Sequence, residues 1–341
     1  MAAGYIQAAL EQAPNSENST NKVSTTVFYL PGTSIEIDPD MTVLERGDEL
    51  RGGFYQAPHA GAAEYAPKHT LNSRMYPAVM GLYLCLLCGG VTTTQGDGGS
   101  VKDPAGVSIP ADAYRHVFSW KTGDVPQTAQ LIACAPDGGA FWKLQGVGAN
   151  QMTFSRDGGA WVCEGELLSL VAKTISDPTL TPAYEAAKPW RAGQMTLSWL
   201  GSTAVTEDFE WKIDNGLTTE YQMSDPSIFP DSIVYEENLP VLGGTIDKRS
   251  FKTADWNALE AGTQFNATMH WTHSESATGT YKHQLWVECP GAQYVSGKPD
   301  AIENKRRNKA SFEWAARQDS VTGEWAKITL VNATPTYAVY P

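Results

Sequence analysis

The chain has 341 residues, of which 42% are hydrophobic and 18% are charged, and its formal net charge is −13. This balance excludes a disordered chain, and the negative charge excludes a general basic surface for gripping nucleic acid. The five cysteines are odd in number and scattered, which argues against a disulfide framework. We expect no signal peptide in residues 1–13 and no membrane span, because the longest apolar run, 78–88, is too short.

Most predicted elements of the first half are strands. Residues 76–88 are apolar on almost every side and are followed by two glycines, which predicts a buried helix. A loop rich in glycine, proline, serine and threonine is expected at 90–111. Polar and apolar residues alternate at 116–120 and 152–154, as in half-buried strands, and a turn at 156–159 leads into a further strand.

The second half repeats this order of elements. Strands are predicted at 194–200 and 208–214, followed by a helix at 253–261 with Thr253 as its N-cap. Four strands then follow, at 265–271, 282–289, 310–316 and 326–330. We expect a turn at 274–280 and a hairpin loop at 319–323.

The repeated order indicates a diverged duplication. The predicted fold is mainly β with flanking helices (α+β), in two tandem β-sandwich domains that each carry a helix. Residues 1–40 are expected to form an arm or an added strand, 41–173 the first domain, 174–189 a linker and 190–341 the second domain.

An ordered series of segments resembles the tail tube proteins of siphophages, the phages with long non-contractile tails. The segments are AVMGLYLCLLCGGVTTTQ (78–95), YRHVFSW (114–120), LQGVGANQMTFSRDGGAWVCEGELLS (144–169), DFEWKIDNGLTTEYQ (208–222), PVLGGTIDKRSF (240–251) and AKITLVNATPTYAVY (326–340). Each segment alone is weak, since none carries chemistry, and their order makes the resemblance specific.

The resemblance implies a structural virion protein with no enzyme activity and no cofactor. Tail tube subunits form rings that stack into a hollow tube, and their inner sheets join neighbours around the lumen. A subunit with two tube domains implies three copies in a pseudo-sixfold ring. The implied partners are further copies, a tape measure protein in the lumen, and tail terminator and baseplate proteins. DNA passes without specific binding, and assembly takes place in the host cytoplasm.

Several residue groups are candidates for sites of chemistry. His270, His273 and His283 suggest a metal site, but positions 270 and 273 of a regular strand face opposite sides. The pair Cys85 and Cys88 lies in a leucine-rich helix, which favours buried small hydrophobes over a redox site. Carboxylate pairs of the kind a glycosidase needs occur by chance in an acidic chain.

The candidate interface residues are basic or aromatic. Lys305, Arg306, Arg307 and Lys309 form the only dense positive run and are expected to pair with carboxylates of the next subunit. Trp286 and Trp325 fall on the polar faces of their predicted strands, which suggests packing against another subunit. Residues 90–111, residues 223–239 and the termini are further expected contacts.

The sequence leaves two alternative functions open. One is a carbohydrate-binding or glycosidase β-sandwich, which the eleven tryptophans would suit. The other is another virion β-protein, such as a head decoration or baseplate component.

Overall fold

The computed structural model describes residues 4–12, 24, 26–38, 40–43, 62–120, 125–136, 139–221, 229–236, 240–249, 252–299, 309–321 and 323–337. The first half contains β1 (Tyr5–Leu10), β2 (Phe28–Tyr29), β3 (Ser34–Asp38), β4 (Met41–Val43), β5 (Ala62–Tyr65), β6 (Lys68–Arg74), α1 (Pro77–Cys88), β7 (Gly89–Gln95), β8 (Tyr114–Trp120), β9 (Ala129–Cys134), β10 (Phe141–Asp157), β11 (Ala160–Leu168) and β12 (Val171–Ile175). The second half contains a 3₁₀ turn (Ala192–Gln194), β13 (Met195–Trp199), β14 (Ser202–Thr203), β15 (Thr206–Asp214), β16 (Leu217–Glu220), β17 (Ser232–Tyr235), β18 (Val241–Lys248), α2 (Thr253–Glu260), β19 (Phe265–Thr278), β20 (Tyr281–Pro299), β21 (Ala310–Arg317) and β22 (Lys327–Asn332). The predicted class, mainly β with flanking helices, is confirmed.

Helix α1 is the buried element that its apolar sequence predicts. Every residue from Val79 to Cys88 is buried, and Gly89 ends the helix in a left-handed conformation with φ 80°. Gly81 lies in the middle of the helix, where glycine costs about 1 kcal/mol relative to alanine. A Cβ at Gly81 would lie 2.0 Å from the ring of Tyr337. The glycine therefore allows the C-terminal segment to pack directly on the helix.

The strand pairings of the first half occur again in the second half. In the first half, antiparallel pairs join β2 to β1, β1 to β9, β9 to β10, β10 to both β11 and β12, β11 to β6, and β6 to β3. In the second half, the corresponding pairs join β14 to β13, β13 to β19, β19 to β20, β20 to both β21 and β22, β21 to β18, and β18 to β15. Even the small hairpin β4–β5 has a counterpart in β16–β17.

The two longest strands correspond residue by residue. Strand β10 has irregularities between Leu144 and Val147 and between Ala149 and Gln151. At the same spacing, β20 has them between Cys289 and Ala292 and between Tyr294 and Ser296. Bulges are specific features of a strand, so two matching bulges at a constant offset fix the correspondence of the two halves.

The two halves are joined by strands and by a shared core. Strand β10 pairs with β15, and β8 pairs with β22, so sheets continue from one half into the other. Phe154 stacks on Trp211 at 4.2 Å between ring centroids, and Trp161 meets Trp271 edge to face at 5.3 Å. These rings belong to one continuous hydrophobic cluster. The assignment of residues 41–173 and 190–341 to separate domains stays a prediction.

Three local predictions are wrong. Strand β19 continues to Thr278, so the expected turn at 274–280 contracts to the residues around Gly279. A local turn does form at the predicted place, where Asp319 N donates to Glu324 O at 2.7 Å, but it does not join a hairpin, because β21 and β22 pair with different parts of β20 and not with each other. The N-cap of α2 is Lys252, whose backbone N–H donates to Asp255 Oδ2 at 3.2 Å, and not Thr253.

The expected long loop at 90–111 is also shorter than predicted. Residues up to Gln95 belong to β7, which pairs along its whole length with β8. The three threonines of this strand suit a pleated, half-buried surface better than a loop.

Candidate assembly surface

One sheet runs through both halves in the order β3–β6–β11–β10–β15–β18–β21–β20. Each neighbouring pair in this series is antiparallel. The first four strands belong to the first half, and the last four are their counterparts in the second half. We call this the through-sheet. Within this sheet, the pairing of β10 with β15 joins the first half of the chain to the second half.

The through-sheet ends on two edges that lack a partner strand among the described residues. At one end, β3 pairs only with β6, and its residues alternate between exposed and half-buried. At the other end, Ser296 to Pro299 of β20 pair with β21 on one side. On the other side, the pairing of β20 with β19 ends at Ala292. Unpaired edges of this kind bind further strands unless they are covered.

The face of the through-sheet that points away from the core is polar and predominantly acidic. Its acidic residues include Glu36, Asp38, Glu164, Glu166, Asp208, Glu210, Asp214, Asp247 and Glu313, and its basic residues include Lys68, Arg74, Lys212 and Lys298. The opposite face carries Leu71, Met152, Trp211 and Ile246, each at most 1% exposed. The strand period of two therefore separates a dry face from a charged face over both halves.

The predicted basic patch is only partly visible. Lys305, Arg306 and Arg307 lie outside the described residues. Lys309 forms an ion pair with Glu207 of the same chain, and Arg249 Nε lies 3.7 Å from Glu207 Oε1. Lys309 therefore has a carboxylate partner within its own subunit, while the intersubunit role of the whole run stays a prediction.

The two out-of-phase tryptophans have partners in their own chain. Trp286 stacks on His270 with ring centroids 3.5 Å apart, and its indole N–H donates to Gln284 Oε1 at 3.1 Å. Trp325 lies just before β22, donates to Ala316 O at 3.1 Å and contacts the Trp120 ring at 4.3 Å. Both side chains are half-buried, and a contact of either with another subunit stays a prediction.

The candidate histidine and cysteine sites are used in packing. His273 Nε2 pairs with Lys188 O at 2.9 Å, and its Nδ1 accepts from Glu275 N at 3.0 Å. Burial lowers the pKa of His283 to about 4. Cys85 and Cys88 are fully buried, and burial raises the pKa of each thiol. Within the described ranges, no group of three or more His, Cys, Asp or Glu side chains is arranged to hold a metal ion.

All eleven tryptophans lie in the described part of the chain, and none is exposed. Trp190, Trp211 and Trp271 are fully buried in the common core. A flat, exposed aromatic platform, on which a sugar-binding sandwich depends, is therefore absent from these residues.

The family model of phage tail tube proteins matches residues 25–316 of the chain, which is most of its length. The chain belongs to the phage tail tube protein family. None of the curated proteins matches it. As a tail tube protein it is a structural component of the virion tail that assembles with its own copies into a tube. None of the described helices combines the length and the apolar character that a membrane crossing requires.

Sequence reasoning did not identify which strands form the two edges of the tail tube protein's through-sheet. The segments that carry the matching bulges read LQGVGANQMTF (144–154) and CPGAQYVSGKP (289–299), and they share only Gly146 and Gly291 at corresponding positions. Gly146 has φ 60°, and a Cβ at Gly291 would lie 2.5 Å from Arg317 O. This shared glycine is the only identity between the two segments, and one identical residue is not enough to align the two halves by sequence.

Proposed function

We propose that this protein is the major tail tube subunit and that three copies close into a pseudo-sixfold ring. Such rings stack into the hollow tube through which DNA passes. The supporting observation is the through-sheet: it is continuous over both halves, polar on one face and, among the described residues, unpaired at both ends. Its even number of alternating strands means that β20 of one copy is antiparallel to β3 of the next.

The strand count favours a ring of several copies. A closed sheet of about eight strands has an interior that side chains fill, whereas about 16–18 strands leave an aqueous channel. Three copies would close about 24 strands, spaced about 4.8 Å apart and tilted about 40°, at a backbone diameter of about 45–50 Å. The polar face lines this bore, because the opposite face is occupied by the core and by α1 and α2.

The charge of the polar face suits passage of DNA. Carboxylates on β3, β11 and β15 repel phosphates, so DNA is not held during transit. A tape measure protein would occupy the same bore before ejection, and tail terminator and baseplate proteins would meet the end rings. Axial stacking is a head-to-tail contact that does not close, so it extends into a filament. We propose no enzyme activity and no cofactor, and assembly in the host cytoplasm.

Negative-stain imaging of the purified full-length protein at increasing concentration tests the proposed function. We expect rings of three copies that grow into hollow tubes. Isolated monomers that bind oligosaccharides at every concentration would contradict it and support the carbohydrate-binding alternative. Closed oligomers that never stack would also contradict it and favour a head decoration or baseplate role.

A further inference from the structure

The β10–β15 junction is the prototype of a strand pairing that the chain cannot make a second time with itself. Strand β10 uses one side for β11 and its other side for β15. Its counterpart β20 uses one side for β21, while the other side of Ser296 to Pro299 has no described partner. The counterpart of β15 is β3, which also has no described partner on one of its sides. The β10–β15 junction is thus made once within the chain, and the two strands that would repeat it lie at opposite ends of the through-sheet.

We propose that the C-terminal part of β20 pairs with β3 of a second copy in the register of the β10–β15 junction. This inference rests on the proposed ring assembly and specifies its contact. The prototype pairs Gln151 with Asp214, Thr153 with Lys212 and Phe154 with Trp211. The residues of β3 are matched to those of β15 through the strands with which each pairs. Ile35 pairs with Leu71 as Phe209 pairs with Ile246, and both Leu71 and Ile246 are fully buried.

Applying the β10–β15 register to β20 and β3 brings opposite charges together. It places Ser296 opposite Asp40, Lys298 opposite Asp38 and Pro299 opposite Ile37 of the next copy. Lys298 and Asp38 are both exposed, and an opposite-charge pair directly across two strands stabilises the pairing. The prototype junction carries no such pair at this position, since Thr153 faces Lys212. The ion pair therefore belongs to the contact between copies.

Burial points to the same contact. In the prototype, Phe209 and Trp211 of β15 are 3% and 0% exposed; Phe154 of the first half stacks on Trp211, and Phe209 packs against Trp199 and Trp314. Their counterparts on β3, Ile35 and Ile37, are only half-buried. They line an open cavity of about 580 Å³ beside β3 and β9. A second copy bound at β3 would bury apolar surface that is exposed to solvent in the monomer.

Within the described part of the chain, no strand pairs with this edge of β20 beyond Ala292. Helix α2 packs on the inward face of the strand, where Leu259 approaches Gly297, and not on its edge. Val295 occupies the bulge that corresponds to Asn150, and it is 53% exposed. Asn150 accepts from Leu217 N at 2.6 Å at the start of β16. Val295 would meet β4 of the next copy, since β4 is the counterpart of β16.

Cysteine cross-linking tests the register in the full-length protein. Lys298→Cys and Asp38→Cys in one chain are expected to form disulfide-linked dimers and trimers on mild oxidation of assembled rings. The five native cysteines are buried and free, so they contribute little background. A matched control combines Lys298→Cys with Ser34→Cys, which lies four residues, or about 13 Å, further along β3. We expect no cross-link from this control pair.

Charge reversal supplies an independent readout that a folding defect would not reproduce. Lys298→Asp or Asp38→Lys alone places like charges opposite each other and is expected to raise the concentration needed for assembly about fivefold. The double reversal should restore it. Normal assembly of both single variants, or cross-linking of the control pair instead, would overturn the register and leave the tube function intact. Failure of the unmodified protein to form rings would overturn both proposals.

Discussion

At the scale of single residues, the second half contains a buried ion pair with a structural role. Lys248 and Asp255 pair at 8% and 4% side-chain exposure, and Tyr294 donates to Asp255 Oδ1 at 3.1 Å. Trp199 in turn donates to the Tyr294 hydroxyl at 2.8 Å. Burial lowers the pKa of Lys248, and the hydrogen bond and charge of Asp255 oppose this. The network ties β18, α2 and β20 together at the end of the through-sheet.

Asp255→Ala is expected to lower the free energy of unfolding by about 3–5 kcal/mol, because it leaves the Lys248 ammonium buried without a partner. Urea unfolding of the unassembled protein measures this change. Replacing both partners, as Lys248→Met with Asp255→Leu, should recover most of the loss. The control Lys68→Ala removes an exposed pair with Asp40 at 3.6 Å and should cost less than about 1 kcal/mol. Equal losses in Asp255→Ala and Lys68→Ala would contradict this account.

At the scale of elements, the first turn of helix α1 is hydrogen-bonded by side chains from other parts of the chain. Its N-cap residue, Tyr76, makes no side-chain cap. The N–H of Ala78 instead donates to both carboxylate oxygens of Glu185, at 2.9 and 3.0 Å, from the predicted linker. Asn332 Nδ2 donates to Pro77 O at 2.9 Å, and the Tyr337 hydroxyl donates to Ala78 O at 2.8 Å. Side chains from two distant segments thus bond to the first turn, and the Glu185 carboxylate satisfies one of the N–H groups that the helix leaves unpaired there.

The helix contact of Glu185 predicts a pH dependence. Burial raises the pKa of Glu185 to about 7 from 4.5, although the N–H groups of Ala78 and Val79 oppose the shift. A raised folded-state pKa means that the stabilising contribution is complete below about pH 4.5 and is lost as the pH rises through about 7. Relative to Glu185→Gln, the wild-type protein should lose about 2 kcal/mol of unfolding free energy between pH 5 and pH 8. Parallel pH profiles of both proteins would refute the assignment.

At the scale of the whole molecule, the through-sheet gives the tail tube protein a defined inside and outside. Glu164 lies on the polar face that would line the bore. Asn257 is exposed on α2, which packs on the opposite face of the sheet. Access to these two positions therefore reports which face is enclosed when rings stack.

Glu164→Cys and Asn257→Cys should differ in labelling only after assembly. A bulky polymer-linked maleimide is expected to label both variants equally in the monomer, since each site is exposed and the native thiols are buried. In tubes, Asn257→Cys should stay reactive and Glu164→Cys should be protected except near the ends. A gel-shift assay measures the rates. Equal labelling of the two variants in tubes would place the polar face outside the bore.

The sequence alone predicted the class of fold and much of its core. Alternating residues such as Phe265, Ala267 and Met269 identified the dry face of β19, because a strand turns successive side chains to opposite sides. The all-round apolar character of 76–88 identified α1 as buried. These are local properties, fixed by the periods of strand and helix, and the ordered motifs added the family.

The tertiary structure decided which strands meet and which edges remain open. Strand pairing uses backbone N–H and C=O groups, so the ladders of the two halves persist while their side chains diverge, as at 144–154 and 289–299. Pairing partners are also distant in the chain: β8 meets β22, and β10 meets β15. No local pattern encodes such contacts, and the unpaired edges of β3 and β20 among the described residues became visible only from the order of strands in the through-sheet.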